Sequence, residues 1–171
     1  MILVGLAVVA ALGVLALAVH GFRYGRKLAA LFPERTTPGD RPVVLFDGDC
    51  VFCRKQVDNL KRMLGADHSA VVEWVSFQDP GVLARFPGVS HDACMEALAA
   101  VMPDGRVHAG PAGVAVLLGR RTRLAHVYFL PLVRQLVDGG YAVIAANRYR
   151  LMGKAVAAGE CEGSCALHLR K

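Results

Sequence analysis

Cys50 and Cys53 stand three residues apart in Cys-Val-Phe-Cys. Two thiols at that spacing share one face of a helical turn and can close a small disulfide ring. Their Cβ atoms need approach only to ~3.8 Å. The chemistry this offers is thiol–disulfide exchange: a thiolate attacks a disulfide sulfur and passes through a mixed disulfide. Cys50 falls at the expected start of a helix, where backbone N–H groups and the helix dipole favour a thiolate. Cys53 falls one turn in and is expected to be the more buried. Cys50 is therefore the predicted attacking thiol and Cys53 the resolving one. Asp49 is the expected N-cap. The nearby charges disagree: Arg54 and Lys55 favour thiolate, while Asp47 and Asp49 oppose it.

The elements around the pair follow from periodicity. Pro42-Val43-Val44-Leu45-Phe46 reads as a buried strand that continues to Asp47, and Asp47-Gly48-Asp49 breaks it. Cys50 to Leu64 has helical periodicity and stops at Gly65. Val71 to Phe77 reads as a second strand, rich in β-branched and aromatic residues. Asp79-Pro80-Gly81 opens a short helical piece through Phe86. Glu96 to Met102 is expected as a third strand, turned by Pro103-Asp104-Gly105 into Arg106 to Ala109. Pro111 opens a helix through Leu118. The order β-α-β-(α)-β-β-α is that of an α/β, thioredoxin-like domain, with the first two strands parallel across a right-handed crossover. Leu124 to Ala158 reads as helical and apolar, kinked at Pro131 and divided at Gly139-Gly140. Its pattern leaves open whether it packs on the sheet or lies on a membrane.

The chain has 171 residues, enough for one globular domain and an appendage. Apolar residues make up 54% of it, and the mean hydropathy of +0.40 is high for a wholly soluble domain. Part of the excess lies in Met1 to Val19, which carries no charged or polar side chain. As a helix this run is about 29 Å long, close to the ~30 Å hydrocarbon core. A signal peptide needs positive side chains before its apolar stretch and a small-residue cleavage site after it. Here the α-amino group alone precedes the stretch, so an uncleaved anchor is favoured. Arg23, Arg26, Lys27, Arg35 and Arg41 follow it, and positive flanks stay in the cytoplasm. The expectation is a single-pass membrane protein whose domain faces the cytoplasm. A net charge of +6 suits an anionic leaflet. No basic stripe with interleaved aromatics is present, so nucleic acid is not an expected partner. The expected division is 1–31 transmembrane anchor helix and interfacial extension, 32–41 linker, 42–120 thioredoxin-like domain, 121–158 helical extension and 159–171 cysteine-containing tail. Phe22, Tyr24 and Phe32 are expected near the headgroups.

Cys161 and Cys165 form a second pair in Cys-Glu-Gly-Ser-Cys. They read either as a second redox pair coupled to the first or as a tail with no redox role. The non-enzymatic alternative is a zinc module using Cys50, Cys53, Cys161 and Cys165, since four thiolates make a tetrahedral site. The C-x3-C spacing is looser than usual, and a strand-to-helix junction is not a zinc knuckle. The redox reading therefore leads, with no cofactor and no metal expected. Cys94 is the odd cysteine, placed near the start of the expected third strand and read most simply as a buried, inert thiol.

The segment Val44-Leu45-Phe46-Asp47-Gly48-Asp49-Cys50-Val51-Phe52-Cys53 resembles the opening motif of the DCC family of thiol-disulfide oxidoreductases. That family is named for Asp-x-x-Cys-x-x-Cys, here Asp47, Cys50 and Cys53. Pro103 to Gly110 is similar to the family's hairpin, with its helix at Ala112 to Leu118. Asn147-Arg148-Tyr149-Arg150 is similar to its C-terminal helical motif, so the resemblance runs from about Arg41 to Gly153. It implies a thioredoxin-like fold and protein-disulfide reductase activity. It also carries over Asp47 as a motif residue, assisting proton transfer at the thiols or fixing the turn through backbone hydrogen bonds. The anchor and the C-x3-C tail lie outside the family core. No proline precedes the expected third strand, where thioredoxins carry one that shapes the substrate groove; Asp92-Ala93-Cys94-Met95 stands there instead. The expected partners are a protein disulfide or small-thiol substrate and an electron donor that the sequence does not name.

Overall fold

The computed structural model describes residues 2–153. Helix α1 (Ile2–Leu31) is one uninterrupted element. Its segment Gly5–Leu31 is long and apolar enough to cross a bilayer, with a hydropathy of 2.2. Among the described residues, 5–16 of α1 are exposed, Leu6, Val9, Leu12 and Leu15 with them. The last part enters the fold. Tyr24, Leu28 and Phe32 recur every fourth residue on one stripe and join the main core with Leu45, Phe77 and Phe86. Tyr24 and Phe32 thus pack inside the protein rather than among headgroups, while Phe22 is exposed.

Strand β1 (Val43–Phe46) leads through a tight turn into α2 (Val51–Leu64) and α3 (Ala66–Ala70). The chain returns as β2 (Glu73–Ser76), parallel to β1 with Leu45 opposite Val75. A short 3-10 turn (Leu83–Arg85) and α4 (His91–Glu96) follow. Strands β3 (Ala99–Val101) and β4 (Val107–Ala109) are antiparallel, and β3 pairs with β1. The four-stranded sheet has the order β2-β1-β3-β4. Helix α5 (Pro111–Gly119), a 3-10 stretch (Arg123–Phe129) and α6 (Pro131–Met152) complete the described chain. This is the thioredoxin-like α/β arrangement.

β1 is central, and alternation along it serves two cores. Leu45 faces the core built with α1 and α4, and Val44 faces the one built with Leu60 and Leu64 of α2 and Leu117 of α5. The strand that opens the thiol turn is therefore held on both faces.

Three local expectations change. Glu96 starts no strand, because Ser90 caps α4 through a 3.1 Å bond from the Ala93 N–H to its Oγ. Cys94 thus sits on a helix. Pro131 begins α6 rather than kinking it, since a first-turn proline forgoes an N–H that has no helical acceptor. Gly139-Gly140 does not divide α6. Gly139 lies against the Leu17 carbonyl of α1, and Gly21 lies against the Gln135 carbonyl, so a Cβ at either position would collide with the facing backbone. The glycines are there for the helix crossing.

Candidate active site

The turn after β1 builds the site. The Asp47 carboxylate is buried, and its Oδ1 accepts the Asp49 N–H at 3.1 Å. The Gly48 N–H donates to Ser76 Oγ at 3.2 Å, tying the turn to the end of β2. Gly48 lies so close to Ser76 that a Cβ would stand 2.8 Å from the serine Cβ. The helix then starts one residue later than expected. Cys50, not Asp49, is the N-cap of α2, and its Sγ accepts the Cys53 N–H at 3.2 Å. The Asp49 N–H is bonded back to Asp47 within the turn that precedes the helix.

This geometry reverses the expected depths of the two sulfurs. Cys50 is fully buried, while Cys53 is partly exposed. The two Sγ atoms and a carboxylate oxygen of Asp47 lie within 4.8 Å of one another. Burial pushes the Cys53 thiol well above its ordinary range, and its hydrogen bond and charge interaction with Cys50 push the same way. Arg148 pulls it down and Asp47 adds a smaller push upward. The cation that lowers the Cys53 thiol is thus Arg148, brought to it by α6.

Arg148 and Tyr149 come to the site from the far end of the fold. Arg148 Nη2 donates to Asp47 Oδ2 at 3.4 Å, with both side chains buried. The Tyr149 hydroxyl donates to the same oxygen. Gln78 Nε2 reaches Oδ1 at 3.4 Å and Met95 Sδ at 3.8 Å. Burial, followed by the bond to Asp47, pushes the Tyr149 hydroxyl up to about 12. Arg148 Nε is buried with no hydrogen-bond partner among the described residues. Among these residues, Arg148 and Tyr149 had a sequence signal, the Asn-Arg-Tyr-Arg resemblance, but no role came with it. Gln78 and Met95 had none.

A cavity of about 260 Å³ adjoins Cys53. Its wall is mainly apolar, with Phe52, Leu60, Met63, Val114 and Ile144 around the sulfur. Cys94 lines the same cavity from α4, and burial pushes its thiol up to about 12, which keeps it protonated. A larger cleft between α1 and α6 reaches Arg148 and Tyr149 but neither sulfur of the pair.

Asp47, Cys50 and Cys53 offer a carboxylate and two sulfurs, a plausible donor set for zinc. The carboxylate does not fit that use, because both oxygens already accept donors and one faces the Arg148 guanidinium. A divalent ion there would meet a buried cation. Cys161 and Cys165, whether as zinc ligands or as a second redox pair, lie outside the described residues.

The family model of the DCC1-like thiol-disulfide oxidoreductases matches residues 44–154. No curated protein and no solved structure matches the chain significantly. The matched span opens on the strand that delivers Asp47, Cys50 and Cys53 and closes just past Arg148 and Tyr149, which hold that aspartate. The chain belongs to the DCC1-like thiol-disulfide oxidoreductase family.

Proposed function

We propose that this protein is a membrane-tethered thiol-disulfide oxidoreductase that reduces a protein or small-molecule disulfide through Cys50 and Cys53. The observation that carries the reading is the Cys53 N–H aimed at Cys50 Sγ at the mouth of α2, with the second sulfur within 4.8 Å. An N–H directed at sulfur favours negative charge there.

Two properties of a nucleophile are divided between the sulfurs: Cys50 receives the N–H, and Cys53 has the access. Position at the helix mouth decides for Cys50: its Sγ receives the Cys53 N–H at 3.2 Å, whereas burial makes Cys53 hold its proton tightly. Cys50 thiolate attacks one sulfur of the substrate disulfide, and the departing substrate thiolate takes a proton. Cys53 then gives up its proton and attacks Cys50 Sγ, releasing the second substrate thiol. The pair ends oxidised and the substrate reduced by two electrons. A dithiol donor must then restore the pair. Asp47 fixes the turn, and a carboxylate oxygen of it lies within 4.8 Å of both sulfurs.

The tether is α1. Its first part is apolar and exposed, and the flanking arginines favour a cytoplasmic domain. A cytoplasmic setting favours the reducing direction.

The test is turnover of glutathione disulfide or insulin by the full-length protein in detergent with a dithiol donor. Cys50→Ser is expected to lower the rate at least ~100-fold. Cys53→Ser is expected to accumulate a mixed disulfide on Cys50. Equal rates for wild type and Cys50→Ser would end the enzymatic reading.

A further inference from the structure

The outward face of α6 is mostly apolar, with Arg134 and Arg150 also exposed on the helix. Leu132, Val137, Val143, Ile144 and Leu151 are all exposed there, although the helix packs firmly on the domain through Asp138, Gly139, Ala142 and Arg148. Leu124, Val127, Phe129 and Leu130 continue the exposed surface through the preceding 3-10 stretch. A contiguous apolar surface of this kind marks a partner. Its charged neighbours are cationic: Arg120 and Arg123 precede it, and Arg150 lies near its end, all exposed.

Where α6 crosses α1 identifies the partner. The crossing is made by Gly139 against Leu17 and by Gly21 against Gln135. Twenty residues of helix, from Ile2 to Gly21, measure about 30 Å, the thickness of a hydrocarbon core. The first charged side chain of α1, Arg23, comes just after the crossing. If α1 spans a bilayer, α6 lies at the boundary between acyl chains and headgroups. An apolar outer face with cationic flanks is what a helix in that plane presents to lipid.

We propose that α6 and the 3-10 stretch before it form a second membrane contact. The outer face of α6 lies in the interfacial layer of an anionic bilayer, and the flanking arginines meet lipid phosphates. This rests on the anchor reading of α1. It resolves what the sequence left open, the placement of the C-terminal helical region. Ile144 belongs both to this face and to the wall of the cavity beside Cys53, so docking brings that cavity to the bilayer surface. The substrates it favours are then disulfides presented at the membrane.

The experiment places a tryptophan on the face in the full-length protein, Val143→Trp, with Trp74 as constant background. The protein is reconstituted into vesicles of phosphatidylglycerol with plain or brominated phosphatidylcholine. The added emission is expected to be blue-shifted and largely quenched by the brominated lipid. A tryptophan at Val71→Trp, exposed on the loop before β2, is expected to be unaffected. Val137→Trp repeats the measurement six residues earlier on the helix. Carbonate washing of the same vesicles reports on α1 separately. Protein that stays integral while both face tryptophans give equal emission in the two lipids overturns the docking and spares the anchor. Quenched tryptophans on protein released by carbonate support the docking and remove the anchor. A blue shift without bromine quenching, in protein that cross-links as a dimer, assigns the face to a second copy of the chain and overturns the proposal.

Discussion

Asp47 and Arg148 bear on Cys53 with opposite signs, and each is buried against the other. Asp47→Asn removes an upward push on the thiol. Its alkylation, followed residue by residue by mass spectrometry, is expected to begin at lower pH than in wild type. Arg148→Gln removes the opposing pull and is expected to move that onset to higher pH. Arg148→Gln also leaves a buried carboxylate without its counter-ion and is expected to cost about 3 kcal/mol in denaturant unfolding. The double variant should lose less than the sum of the two single ones, since the remaining partner is no longer charged. The Cys53 shift also makes stability depend on pH. The folded thiol holds its proton more tightly than the unfolded one, whose ordinary value is 9.0. Its contribution is fully present below about that pH and is lost as pH rises through the folded value. Under reducing conditions, wild type is expected to lose stability above pH 9 more steeply than Cys53→Ala. Cys94, raised to about 12 by burial, should resist alkylation at pH 8 until the protein unfolds.

At the scale of elements, the positions of the two helices that frame the site depend on close approach. Gly21 and Gly139 let α1 and α6 cross with backbone against backbone. Gly139→Val is expected to cost about 1–3 kcal/mol through overpacking, read as a lower unfolding midpoint in detergent. Gly140→Ala, where a Cβ meets nothing nearby, should be neutral or slightly stabilising because alanine is the better helix former. The contrast between adjacent glycines separates a packing role from a flexible break. The strand-turn-helix that carries the thiols was legible in the sequence because its signals are local: a run of β-branched residues, a Gly flanked by Asp, then helical periodicity. Helix α4 was not, because its Ser90 cap competes with a short alanine-rich strand that only pairing with β1 defines. The depth of Cys50 was not legible either. It follows from Cys50 becoming the N-cap, with its sulfur turned inward onto the Cys53 N–H.

At the scale of the whole molecule, α1 is both an exposed apolar rod and part of the core. A chain beginning at residue 17 keeps Tyr24, Leu28 and Phe32 and is expected to retain the fold. A chain beginning at residue 33 loses three buried side chains, each worth roughly 2–5 kcal/mol, against a typical total stability of about 5–15 kcal/mol. It is expected to lack a cooperative unfolding transition. Near-ultraviolet circular dichroism and thermal melts of the two truncations check this. Spacing and local periodicity suffice to place the chemistry on offer, two thiols and a carboxylate, on one short strand-to-helix segment. The sequence by itself also determined the apolar rod, since composition alone makes a helix of that length fit a bilayer. Tertiary structure alone decided which sulfur is enclosed, which cation faces the pair and where the C-terminal helix lies. Those depend on groups more than a hundred residues apart meeting in a low-dielectric interior, and no local pattern records such a meeting.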